Sequence, residues 1–484
     1  MFTDYNGVHL YKDYIFTAST QAALTSPTQG TVLPGPTVTF TWSPATGSIK
    51  GYFLHLGTTS PGSLNLLNSP EYSTSTTSVT VNNLPVNGGT IYARMFTDYN
   101  GVHLYQDYTF TSGPAPSYVG FVYTLNSNLN PNGTGNISAY SEGRGTGALA
   151  LLSTSPYNTE LNAPVAMAVD PAMGFVFAAG TSSGSQSSGL IAALAINEST
   201  GALSAPVFTT PANWPTYMVV GPYGKFLFVS SHQSDSVTVY SVAANGALAQ
   251  VGSPYNIPGF NCGAFCIPSA DQMVYDPVAQ TLYVDSDNGW FVATFTVNPA
   301  TGALTYIYNE ETYYGPSGMA VNPAGSFLYV DAGAGKAVNA YTVTTTAMSG
   351  DVPEPITTIA GQPFTAGGTP LGAVVEPTGH YLYVTNNGDN NISAYSINQS
   401  SGILSQLADS PFAISGGSTD PQQAAVDQAG QYLYVVSEVY NGVGGITQYS
   451  INSGTGVLTQ LTSTPVSPGT NASYPFGIGV YPLP

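Results

Sequence analysis

The sequence predicts an all-β protein assembled from repeats, and three observations carry that expectation. A unit of roughly fifty residues recurs along the C-terminal three quarters of the chain, as expected of stacked or ring-forming β repeats. A seventeen-residue segment at 1–17 returns almost unchanged at 95–111. The composition is turn-rich and poor in charge: Gly 54, Pro 36 and Tyr 34 among 484 residues, with 6% charged where a typical soluble domain has about 25%.

The duplicated segment differs only at Lys12/Gln106 and Ile15/Thr109. Asn6-Gly7 and Asn100-Gly101 supply the two positive-φ positions of a type I′ turn between aromatic-rich strands, so each copy reads as a β-hairpin. An isolated hairpin is marginal in water and needs a partner. Residues 1–20 are therefore expected either to complete an upstream sandwich repeat or to act as a connector on a neighbouring subunit's sheet edge.

Residues 21–114 form the next unit. The runs 37–42, 51–56, 78–81 and 90–94 alternate in polarity, which gives each strand one inward face. With Trp42 and the Leu84-to-Tyr92 approach to a strand, the stretch resembles a fibronectin type III (Ig-like) β-sandwich. That resemblance implies core positions for Trp42 and Tyr92.

Residues 115–484 carry the blade repeat. Its first strand recurs at 166–171, 217–222, 272–277, 318–323, 370–377 and 424–427, and the opening unit from Gly120 brings the blades to seven. The opening blade lacks this strand and residues 476–482 repeat it alone, so the ring should close by a clasp of three N-terminal strands and one C-terminal strand. The unit contains Tyr383-Val-Thr-Asn386 literally. The region resembles YVTN-repeat propellers of the lactonase-like superfamily, which includes 6-phosphogluconolactonases, and the resemblance makes lactone hydrolysis the enzymatic expectation.

Residue chemistry argues less for an enzyme. The propeller's basic residues are Arg144, Lys225 and Lys336, in different blades, without the cluster a sugar phosphate would require. His232 and His380 are its only histidines, and His380 occupies a repeated turn. Asp170, Asp276, Glu376 and Asp427 share that turn and read as turn formers. Asp285-Ser-Asp-Asn-Gly289 resembles part of a calcium loop without the later bidentate glutamate. No nucleophile elbow, zinc-protease motif, phosphate loop or haem site is present, and no cofactor is expected. Cys262 and Cys266 are read as a loop-locking disulfide, with free thiols as the alternative. Glycosylation acceptor patterns fall at Asn132, Asn136, Asn197, Asn391, Asn398 and Asn471.

Six Lys and Arg against 25 Asp and Glu give a net charge of −19, which repels nucleic acid and anionic membranes. No apolar run reaches the roughly 18 residues of a membrane span. The segment 1–20 lacks a signal-peptide pattern, so an export signal would lie upstream or have been removed. The combined expectation is an extracellular or cell-surface structural or adhesive protein, such as a filament subunit that self-associates head to tail or binds other surface proteins. A glycan- or peptide-binding propeller and a lactonase-type hydrolase are the alternatives.

Overall fold

The computed structural model describes residues 19–82, 84–86, 88–113, 118–127, 134–181, 189–211, 214–258, 270–344, 355–417, 419–438, 444–469 and 474–483, with the backbone of 2–5 and 8–11. Strands account for nearly all regular structure. The chain divides into two units, Met1–Ser117 with the last residue, and Tyr118–Leu483.

In the first unit, Ala23–Ser26, Val38–Ser43 and Ser78–Val81 make a three-stranded sheet. Leu67–Asn68, Gly51–Gly57, Thr90–Tyr99 and Val102–Thr111 make a four-stranded one in that order. Both sheets feed one core, which holds Phe40 and Trp42 from the first and Tyr52, Leu54, Ile91, Ala93 and Met95 from the second. Trp42 meets Tyr52 edge-on at 5.9 Å between ring centroids. Tyr92 departs from expectation: strand alternation gives the inward positions to Ile91 and Ala93 and leaves Tyr92 half-buried on the other face. Asn100 (φ 52) and Gly101 (φ 98) form the anticipated turn between two ten-residue strands. The backbone at Phe2–Tyr5 and Val8–Tyr11 repeats this pairing in the same register, with Phe2 opposite Tyr11 as Phe96 is opposite Tyr105.

The second unit is a ring of seven antiparallel blades. Six inner strands are Tyr157–Asp170, Tyr217–Val220, Met273–Asp276, Pro316–Val321, Pro370–Val375 and Pro421–Val426. The seventh, Pro475–Pro482, pairs with Tyr118–Asn126 and supplies the inner strand that the opening blade lacks. It also neighbours both Pro421–Val426 and Tyr157–Asp170, so the ring is closed. We number the blades from this clasp blade, 1, to the blade of Pro421–Val426, 7.

Each blade lies between two others, so both faces of its middle strands are covered. Those strands consequently read as continuous apolar runs, such as Phe175–Thr181 and Phe226–Ser231, both wholly buried, and lack the alternation of a one-faced sheet. Seven apolar clusters fill the seven interfaces between adjacent blades.

The abundant tyrosines serve these interfaces. Tyr123, Tyr329, Tyr383 and Tyr434, at equivalent positions of second strands, donate to the carbonyls of Gly201, Gly402, Gly456 and Gly147 in the next blade at 2.8–3.0 Å. The last of these links blade 7 to blade 1. The accepting glycines have positive φ, and a Cβ on Gly147 would stand 2.2 Å from the Tyr432 ring, so only glycine admits this approach. A buried tyrosine thus contributes area and satisfies its own hydroxyl.

Candidate functional site

The ring has two ends, and its carboxylates behave differently at each. Inner strands finish at one end, where Asp170, Asp276, Glu376 and Asp427 accept backbone N–H groups of the following turn. Asp276 Oδ1 takes Val278 and Ala279 at 2.8 and 3.1 Å. Asp427 Oδ1 takes Gln431 and Tyr432 at 2.6 Å each. Asn322 does the same for Ser326 and Phe327. These side chains are the turn formers their repetition predicted. His380, in the same turn of blade 6, is exposed, with Nδ1 2.7 Å from Thr378 Oγ1.

Inner strands begin at the other end, which we call the mouth. There His232, just past the second strand of blade 3, reaches Asp271 at the entry to blade 4, with Nδ1 2.7 Å from Oδ1. The His232 side chain is 44% exposed. Asp271 is held by its backbone: its N–H donates to Asp285 O, and its carbonyl accepts from Ser230 Oγ at 2.6 Å. The Gln272 N–H donates to Asp285 Oδ1 at 2.7 Å, and the Gln272 side chain donates to Ser317 O in blade 5. Burial and the nearby Asp285 push the Tyr217 hydroxyl up to about 12. Beyond this polar layer the half-buried inner strands present chiefly Val, Ala and Gly.

Asp285 and Asp331 occupy the same position in the second strands of blades 4 and 5, and both are fully buried. Their counterparts Ser230 and Thr385 donate hydroxyl hydrogen bonds to carbonyls on the next blade's inner edge, Asp271 O and Gln422 O. A carboxyl can donate there only when protonated. Burial raises Asp331 well above the carboxylate range, and neither of its oxygens has a hydrogen-bond partner. Burial does the same to Asp285, reinforced by Asp271 and Asp287 against the Gln272 N–H. Asp285 is thereby a wall residue and not the first ligand of a calcium loop. Among the described residues no three His, Cys, Asp or Glu side chains are grouped as a metal site.

Of the sequence candidates, His232 alone sits at the mouth with a carboxylate partner. Of the propeller's basic residues only Lys336, in the turn after Phe327–Ala332, shares that end. Arg144 and Lys225 lie in turns at the opposite end. Cys262 and Cys266 lie outside the described residues, as do Asn132 and Asn471. Asn136 and Asn391 are engaged as hydrogen-bond acceptors from Asn126 and Asn386, and Asn136 is almost wholly buried, which leaves no room for a glycan there. Asp271, Gln272 and Asp285 escaped the sequence reading because they meet His232 only across the boundary between blades 3 and 4. Aligning the fifth residue of every second strand, Ser230, Asp285, Asp331 and Thr385, would have exposed part of this set.

A closed seven-bladed propeller with a polar mouth defines the class of protein. Residues 134–474 match the model of the lactonase, 7-bladed beta-propeller family, and the chain belongs to that family. No curated protein matches it. Among solved structures it is similar to a protein from Bacteroides uniformis provisionally assigned as a 6-phosphogluconolactonase, at 18% identity and TM-score 0.60, covering 75% of this chain and 99% of that one. It is also similar to the periplasmic gluconolactonase PpgL of Pseudomonas aeruginosa, at 17% identity and TM-score 0.59, covering 75% and 100%. At these identities the likeness is one of fold.

Proposed function

We propose that the propeller hydrolyses an unphosphorylated lactone at its mouth, with His232 as general base and Asp271 as the residue that orients it. The carrying observation is the 2.7 Å contact between His232 Nδ1 and Asp271 Oδ1 in a lactonase-family ring. With the Nδ1 proton held by Asp271, Nε2 is the basic nitrogen. It takes a proton from water as the water oxygen attacks the lactone carbonyl carbon. The ring C–O bond then breaks, and the imidazolium returns the proton to the leaving ring oxygen, giving the open hydroxy acid. A positioned base contributes about 10²–10⁴-fold. The preference for an unphosphorylated ring follows from the charge: one lysine at the mouth and a net −19 oppose a phosphate. The test is hydrolysis of glucono-δ-lactone against its 6-phosphate. Turnover of the neutral lactone that disappears in His232→Ala supports the reading; rates no faster than spontaneous opening, or full activity in the variant, reject it.

A second reading concerns the first unit, which we infer to be a fibronectin type III-like sandwich in an exported protein that self-associates. Two sheets around Trp42 favour the sandwich. The equal registers of the two hairpins favour interchangeable pairing, and the outermost strand Val102–Thr111 exposes Val102, Leu104 and Tyr105 as an edge. Light scattering of the full chain and of Leu104→Lys tests this: association weakened by the lysine supports it, and a monomer at every concentration rejects it.

A further inference from the structure

A second recess lies at the end of the ring opposite the mouth, where the clasp meets blade 7. Its volume is about 500 Å³, and its walls include Val119, Val480, Pro482, Leu483 and Tyr432, with Glu142 and Asp427 supplying charge. Among the described residues no lysine or arginine lines it. Glu142, at the end of strand Thr134–Gly143, is only 2% exposed, and its Oε1 has no hydrogen-bond partner.

The two carboxylates are not equivalent. Asp427 is occupied by the N–H groups of Gln431, Tyr432 and Ala429. Glu142 lines the recess beside apolar walls, and its Oε1 is buried with no hydrogen-bond partner. Burying such an atom without a partner is unfavourable, and a buried carboxylate calls for a cation or a donor.

We propose that this recess binds a small primary ammonium compound with an apolar body, the ammonium pairing with the Glu142 carboxylate in the wall and the body lying on Tyr432, Val480 and Leu483. A divalent cation fits less well, because Glu142 is the single carboxylate not committed to a turn there and Asp427 already serves its own. The volume falls in the range of small-molecule sites, about 300–1,000 Å³. In the absence of a ligand, burial and then Asp427 push Glu142 up to about 7, opposed by the neighbouring Tyr434 hydroxyl. Tyr432 also faces it, while Arg144, two residues along, is not among the groups acting on it. Ammonium binding to the ionised carboxylate therefore expels a proton near neutrality.

The test is isothermal titration of the full chain with cyclohexylammonium, and with cyclohexanol as the uncharged analogue, in two buffers of different ionisation enthalpy. The proposal expects the ammonium to bind with proton release and cyclohexanol to bind at least tenfold more weakly. Glu142→Gln should lower ammonium affinity at least tenfold and abolish the proton release, while His232→Ala leaves both unchanged. Should Glu142→Gln fail to fold, the wild-type pH profile carries the test, with ammonium affinity rising between about pH 6 and 8 as Glu142 ionises. No ammonium binding, equal binding of cyclohexanol, undiminished binding by Glu142→Gln or a flat pH profile would each overturn it.

Discussion

The two ends of the propeller use one residue type in opposite ways. At the end where inner strands finish, aspartate accepts backbone N–H groups and shapes a turn, as Asp276 and Asp427 do. At the mouth, Asp331 is buried with neither oxygen engaged, Asp285 accepts a single N–H on one oxygen and leaves the other without a partner, and Asp271 engages a histidine. A carboxylate tied to the N–H groups of its own turn is committed to that turn, even where, as in Asp276, its second oxygen has no partner. One held in the wall without such bonds stays protonated or awaits a partner. Function is therefore expected where the repeat's local rules are broken, at His232, Asp271 and, across the clasp, Glu142.

Four substitutions would sharpen or break that comparison. The largest effect is expected for His232→Ala, which should lower lactone hydrolysis by about 10²-fold or more with little change in unfolding midpoint; steady-state assays and thermal melts read both. Next comes Asp331→Asn, which keeps the shape and supplies a donor. Because the folded pKa of Asp331 is raised, the folded state holds a proton that the unfolded state loses, so wild-type stability should fall as pH rises above about 4, by up to about 1.4 kcal/mol per unit. The asparagine should remove that slope, as denaturant melts at about pH 5 and pH 8 would record, making the variant the more stable protein in alkali. At the opposite end, Asp276→Ala should cost about 1–2 kcal/mol near the unfolded carboxyl's range and less as pH rises, since it strips a turn of its acceptor while burial holds the folded carboxyl above its ordinary value. The smallest effect is expected for Tyr383→Phe, about 1 kcal/mol for the lost bond to Gly456 O. Phe228 and Phe177 already stand at the equivalent position of blades 3 and 2, which shows that the ring tolerates the change. A catalytic loss from Asp276→Ala larger than that from His232→Ala would reverse the assignment of the two ends.

Much of the architecture was legible because it is local and repeated. The hairpin turn at Asn100-Gly101, the inner strands ahead of the repeated turns and the lone C-terminal strand are each visible in a few consecutive residues. Tyr92 misled because one residue of register moves a side chain to the other face, and only the pairing with Gly51–Gly57 sets that register. The role of the tyrosines is a tertiary one: Tyr123, Tyr329, Tyr383 and Tyr434 are buried latches whose acceptors lie in the following blade. The candidate site was nearly invisible: His232 and Asp271 are 39 residues apart, and nothing in either neighbourhood marks the other.

The sequence by itself determined an all-β chain, seven blades, a three-plus-one closure and turns built on acidic side chains, because strand alternation, turn chemistry and repeat period act over a few residues. Only the tertiary structure decided which carboxylates are satisfied and which are stranded. Ring closure brings the ends of distant strands to one mouth and sets Glu142 against Asp427 across the clasp. Burial and hydrogen-bond satisfaction are properties of that assembled neighbourhood, and no single blade contains them.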